Sequence, residues 1–346
     1  MCRFAVVLLL LLGAVPIAAA QDSATLYPII EHSRFGFINQ SGEIIIAPKY
    51  DGAQISSEGL AAVRLGELWG FINAEDSVVI DARYSAVYPF VDGLARVQLG
   101  RGWGFIDRSG NFLTERVFTG ALDFSGGLAP VRGRPGAIVG LEPNWGYLDS
   151  NGELTIEDLF ERALPFSEGL AGVEKVRKVL VVSVSTRWGF VDSSGEWVIP
   201  PEFHSVRSFS NGLALARKGK QRGFIDRSGS FVLEIHYDQI FSFADGRARI
   251  SIDGQWGFID REGSVIVPAI YAHADDFEDG RALVMVGDKY GYLDTDGLLV
   301  IPAVFDRARS FAKGLAYVMQ EGRPGYIDIS GEYVWRQGES SRQVAQ

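Results

Sequence analysis

A glycine preceded in most copies by an aromatic residue returns along almost the whole chain, at Gly36, Gly70, Gly104, Gly146, Gly189, Gly223, Gly257, Gly291 and Gly325. The intervals are 34, 34, 42, 43, 34, 34, 34 and 34 residues, so one unit has been copied about nine times and enlarged twice. A period of this length means supersecondary units that bury their apolar faces against one another. A residue that recurs at one phase builds the unit, whereas a catalytic group need occur only once. The chain therefore says much about architecture and little about chemistry.

Each unit opens on a stretch such as Trp103-Gly104-Phe105-Ile106-Asp107 or Trp256-Gly257-Phe258-Ile259-Asp260. Aromatic and branched residues favour a strand, and a mid-strand glycine marks close backbone approach or a bulge. A turn follows, as in Asp107-Arg108-Ser109-Gly110 and Asp226-Arg227-Ser228-Gly229. Asp at its first position bonds back to turn amides and Gly at its fourth accepts positive φ, which fits a type I turn closing in a glycine bulge. Asp76 takes the glycine phase once, as a residue that tolerates the left-handed region. The returning strand is aliphatic and often ends in proline (Pro48, Pro200, Pro268, Pro302), and an aromatic such as Tyr50 or Phe118 anchors the connection. A third block, Phe-x-x-Gly-Leu-Ala-x-Val, spans Phe90 to Val97, Phe124 to Val131, Phe166 to Val173 and Phe311 to Val318, and its alternation again reads as a strand.

The expected fold is thus all-β: a tandem array of about nine 34-residue, three-stranded meanders over residues 34–335, joined by looped crossovers. An open superhelical, solenoid-like stack is expected, because three strands make a lean propeller blade and stacks need no fixed copy number. A propeller-like ring is the alternative, with a lead-in strand Tyr27–Glu31, within residues 21–33, supplying what the final partial unit lacks. The tryptophan column, Trp69, Trp103, Trp145, Trp188 and Trp256, is expected in the core between units, where Trp145→Ala would cost about 3–5 kcal/mol.

Residues 1–20 carry Arg3, an apolar run from Phe4 to Val15 and the small residues Ala18 to Ala20 ahead of Gln21, which reads as a secretory signal. Its removal takes away the only cysteine, Cys2, and leaves 32 basic against 43 acidic residues, a net charge near -11. Export to the periplasm or the extracellular space, no disulfide and no transmembrane segment after cleavage follow as expectations. The acidic balance argues against nucleic acid or anionic lipid as the main partner. Residues 336–346 are polar and expected to be disordered.

The pairing of Trp-Gly-Phe-Ile-Asp with Phe-x-x-Gly-Leu-Ala-x-Val over residues 34–335 resembles the WG-repeat family of bacterial proteins. The resemblance implies a secreted or surface repeat scaffold without catalysis, and it brings no catalytic residues to transfer. Arg222, Tyr290 and Pro324 depart from the tryptophan phase without disturbing the period.

Chemistry has few places to reside. The histidines His32, His204, His236 and His273 fall at different phases, so nothing gathers them at metal-ligand spacing. The turn column of Asp and Asn is accounted for by turn formation, since its turns lack further calcium ligands. No Ser/His/Asp set, metal motif or singular acidic pair rises above the repeat, so neither an enzyme nor a cofactor is expected. The enlargements, Arg132 to Asn144 and Glu174 to Arg187, extend the same turn in consecutive units and so emerge on one side. Arg132, Arg134, Lys175, Arg177, Lys178 and Arg187 would form a basic patch on an acidic protein, and Trp197, outside the tryptophan phase, would offer an exposed aromatic. A monomeric, exported, non-enzymatic scaffold for protein binding is the expectation. A glycan or cell-wall binding module is the alternative.

Overall fold

The computed structural model describes residues 25–115, 117–133, 144–179 and 182–339. They form nine antiparallel sheets in chain order, arranged as the blades of a closed β-propeller. This corrects the expected open stack, and the physical reason lies in the connecting segment. Where a looped crossover was expected, two residues pair with the Gly-Leu-Ala strand, as Gly52–Ala53 does with Val63 and Arg64. That adds a fourth, inner strand to the three read from the pattern, enough to make a blade.

Blade 2 shows the plan: Gly52–Ala53, Ala61–Leu65, Leu68–Ile72 and Val78–Tyr84, each hydrogen-bonded to the next. The Gly-Leu-Ala strand of one sequence unit thus shares a sheet with the Trp-Gly strand of the next. The mid-strand glycines sit where the returning strand bulges across them. A Cβ at Gly70 would lie 2.4 Å from the Ile80 carbonyl oxygen, and the ladder shifts register there. At the tight turns the fourth residue is left-handed, Gly110 at φ 83° and Asp76 at φ 62°, while the Asp107 carboxylate accepts from the amides of Ser109 and Asn111.

Blades pack through a recurrent aromatic pair. The ring after the glycine meets the phenylalanine 19 residues later: Phe71 with Phe90, Phe105 with Phe124, Tyr147 with Phe166, Phe190 with Phe209, Phe224 with Phe243, Phe258 with Phe277 and Tyr292 with Phe311, at 4.6–4.9 Å between centroids. Such pairs contribute about 0.5–1.5 kcal/mol each beyond the area they bury. The core therefore centres two or three residues after the tryptophans: Phe105 is 1% exposed, whereas Trp69, Trp103, Trp145 and Trp256 only half-bury against it and Trp188 of that column is buried.

Position 56, where the repeat calls for that phenylalanine opposite Phe37, is serine. Leu26 fills the space, buried with Phe37, Ile46 and Tyr50. Its amide donates to Ser56 Oγ at 2.8 Å and its carbonyl accepts from the Ser56 amide at 3.0 Å. Tyr27–Glu31 follows as the second strand of blade 1, pairing with Arg34–Ile38. Closure is completed by packing: Tyr27, Ile29 and Ile38 of blade 1 share a core with Leu315, Tyr326 and Trp335 of blade 9. Tyr27 Oη donates to the Lys313 carbonyl, Lys313 Nζ to that of Ser56 at 2.7 Å, and Tyr326 Oη to that of Pro28 at 2.8 Å. The last strand, Tyr333–Arg336, runs one residue into the span 336–346 expected to be disordered tail, and Gln337 reaches back to blade 1. Residues 340–346, like the expected signal at 1–20, lie outside the described residues.

Candidate binding site at the seam and the enlarged face

The ring has two ends of different character. At one, the turns between inner and second strands hold a left-handed acidic residue whose carboxylate accepts the glycine amide of the next blade. These are Glu58 to Gly93 at 3.0 Å, Glu168 to Gly212 at 3.0 Å, Asp245 to Gly280 and Asp279 to Gly314, both at 2.8 Å. At the seam Lys313 takes that phase. The opposite end carries the hairpins between second and third strands, including both enlargements.

Of the enlarged hairpins, the one in blade 5 is described almost throughout. Its strands Ala171–Val179 and Val182–Val191 stay paired to Val179 opposite Val182, with Lys175 opposite Arg187, Arg177 opposite Ser185 and Lys178 opposite Ser183. Lys175 is exposed and its Nζ lies 5.7 Å from the Trp197 ring centroid. Arg187 is half-buried and donates to the Thr186 carbonyl. His204 stands close enough to Arg187 and Arg217 to be held below the ordinary histidine range, with its partial desolvation the larger cause. Trp197 is half-buried, packed on the blade 5 core and edge-on to Phe160 at 6.0 Å. Arg132 closes its strand in blade 4, with Thr119 Oγ1 donating to its carbonyl at 3.0 Å. Arg134 lies outside the described residues.

The inner strands face the axis. Residues 53–55, 89 and 307–310, which belong to or follow the inner strands of blades 2, 3 and 9, line one cavity of about 1040 Å3. Two arginines near the axis, missed in the sequence, are paired, Arg96 buried and Arg249 partly so. Arg96 stacks on Tyr88 and Trp103, with centroids 3.5 and 4.8 Å away, and pairs with Asp123 at 2.7 Å. Arg249 repeats this with Phe241, Trp256 and Asp276, the last at 3.0 Å. In both, aspartate follows arginine by 27 residues and tryptophan follows by seven, a coincidence of spacing legible in the sequence. Burial, opposed by Arg249, raises the Asp276 carboxyl above its usual range, and burial with acidic neighbours does the same at Glu278. Arg307 and Arg309, on the wall of the cavity, form no ion pair with a described residue.

Among the described residues no cluster of His, Cys, Asp or Glu has the geometry to hold a metal ion, and no helix is long and apolar enough to cross a membrane.

No curated protein matches the sequence. Among solved structures, a eukaryotic initiation factor superposes at a TM-score of 0.57 with 11% identity, covering 91% of this chain and 96% of that one, which is a likeness of fold. AztD from Citrobacter koseri (12% identity, 90% and 94% covered) and Hsv2p from Kluyveromyces lactis (12%, 79% and 90%) superpose at 0.36 each and add nothing to that. The family model described as WG containing repeat matches eight times, at residues 35–69, 69–101, 103–132, 145–175, 188–221, 223–256, 256–290 and 290–323. With those matches following one another along most of the chain, each running from one blade into the next, the chain belongs to the WG-repeat family.

Proposed function

We propose that the protein is an exported, non-catalytic ring scaffold that binds an acidic protein partner through the end carrying the enlarged hairpins. One observation carries this reading: the blade 5 hairpin sets Lys175, Arg177, Lys178 and Arg187 on a single two-stranded projection of a chain whose net charge is -10. Cations gathered on an otherwise acidic molecule steer and orient acidic partners. At the other end the carboxylates of Glu58, Glu168, Asp245 and Asp279 are engaged by amides of neighbouring blades. Export is supported by the basic start, apolar run and small-residue exit of residues 1–20. Glycan binding would call for exposed rings, and Trp197 is half-buried beside Phe160 and Lys175.

Affinity capture from an envelope extract tests the reading, comparing the native protein with Lys175→Glu/Arg177→Glu/Arg187→Glu. A salt-sensitive protein partner held by the first and released by the second supports it. The same partner on both would reject the hairpin as the site.

A further inference from the structure

Among the described residues blade 1 alone has no inner strand, and the cavity at the seam occupies the side of Tyr27–Glu31 where that strand would pair. In blade 2 the corresponding edge accepts from the chain itself, Gln54 N to the Ala62 carbonyl at 3.0 Å and Asp51 N to that of Arg64 at 2.9 Å. In blade 1 side chains take over both duties. Tyr326 Oη donates to the Pro28 carbonyl at 2.8 Å and Gln337 Nε2 to that of Ile30 at 3.3 Å. Proline at position 28 also removes a donor. The edge is therefore blunted against an added strand, and among the described residues none pairs with it on that side.

The walls decide what the cavity beside it can hold. Phe35, Ile55, Tyr317 and Tyr326 give the cavity an apolar body, and its size is that of a small-molecule site. Arg307 and Arg309 stand on the same wall, one residue apart on either side of Ala308. Arg96 and Arg249, on the second strands of blades 3 and 7, each meet an aspartate of the next blade and two rings, whereas Arg307 and Arg309 belong to or follow the inner strand of blade 9. Arg309 has one ring beside it, Tyr317 at 5.8 Å, and neither seam guanidinium forms an ion pair with a described carboxylate. Two unpaired guanidinium groups beside an aromatic, apolar chamber suit a ligand with an oxyanion at one end, because guanidinium binds carboxylate and phosphate in matched pairs of hydrogen bonds.

We propose that the seam cavity binds an elongated apolar molecule with an oxyanion head, of the alkyl carboxylate or alkyl phosphate class, its head on Arg307 and Arg309 and its body against Phe35, Ile55 and Tyr317. This site is separate from the hairpin proposed for protein binding.

Calorimetric titration of the purified protein with dodecanoate, dodecyl phosphate and dodecyltrimethylammonium, each below its micelle concentration, tests it. Saturable one-site binding of either anion with none of the cation is expected, and the stronger anion identifies the head. Arg307→Gln/Arg309→Gln should weaken that binding at least about tenfold, as loss of charge-assisted hydrogen bonds implies. Arg309→Lys should fall between. Lys175→Glu/Arg187→Glu should leave it unchanged, which keeps this test independent of the hairpin. Equal binding of the cation, or undiminished binding by the double glutamine variant, would overturn the assignment. Should that variant fail to fold, Ile55→Trp narrows the chamber from its facing wall, and binding that ignores it would overturn the assignment equally.

Discussion

Restoring the repeat's own phenylalanine at position 56 should destabilise this protein. Phe90, Phe124, Phe166, Phe209, Phe243, Phe277 and Phe311 all stand at this phase, so a consensus argument favours Ser56→Phe. The structure reverses it: Ser56 is 3% exposed, Leu26 is 1% exposed, and the leucine already fills the space against Phe37. Forcing a ring in beside it costs about 1–3 kcal/mol of overpacking. Losing the Ser56 hydroxyl strands the Leu26 amide, which costs about 1–3 kcal/mol more. An edge-to-face pair with Phe37 would return only about 0.5–1.5 kcal/mol. The net loss is about 0.5–5.5 kcal/mol by these terms. Leu26→Ala alone should cost about 2–5 kcal/mol, and the double variant should be less destabilised than the two losses added, with a coupling of at least about 1 kcal/mol, since the smaller residue makes room for the ring. Urea unfolding together with hydrogen exchange over Tyr27–Glu31 measures both quantities. A raised midpoint for Ser56→Phe, or strict additivity in the double variant, would refute the claim that the N-terminal segment plugs the ring.

Phe105→Ala, which empties one side of the Phe124 contact, should cost about 3–5 kcal/mol in urea unfolding, and the same change at half-buried Trp103 less. Gly70→Ala should lower the unfolding midpoint despite its ordinary φ, since its Cβ would meet the Ile80 carbonyl at 2.4 Å. Asp149 and Asp226 are held below the usual carboxylate range, chiefly by the Glu153 amide and the Ser228 hydroxyl respectively. A depressed folded value means stability present above the unfolded value and lost as pH falls through the folded one. Asp149→Asn/Asp226→Asn should therefore flatten the fall in stability below about pH 4, read from urea midpoints between about pH 3 and pH 6.

What the sequence discloses follows from what recurs with enough residues to show a period. The turns were legible down to the exception, because Asp76 and the glycines obey one backbone requirement that few residue types meet. Gly70 was legible for the same reason, since only hydrogen fits against the Ile80 carbonyl. The inner strand was not: two residues such as Gly52–Ala53 carry no alternation, and without them the unit looked too lean for a blade. The tryptophans drew attention as the largest rings, yet burial goes to the residues two or three positions beyond them, where Phe105 and Phe124 meet. The basic hairpin was legible as an insertion, and the structure adds which cations stand opposite which residues. The seam cavity had no signature at all, because it lies beside the one blade that has no inner strand among the described residues.

Every sheet here is made of residues close in sequence, and the first and last meet only by packing and a handful of side-chain bonds. The molecule is in effect a washer with a single cut, so it can spring apart at one place without unzipping any ladder. Whatever lodges in that cut acts as a shim, and its binding and the mechanical integrity of the whole annulus are one equilibrium.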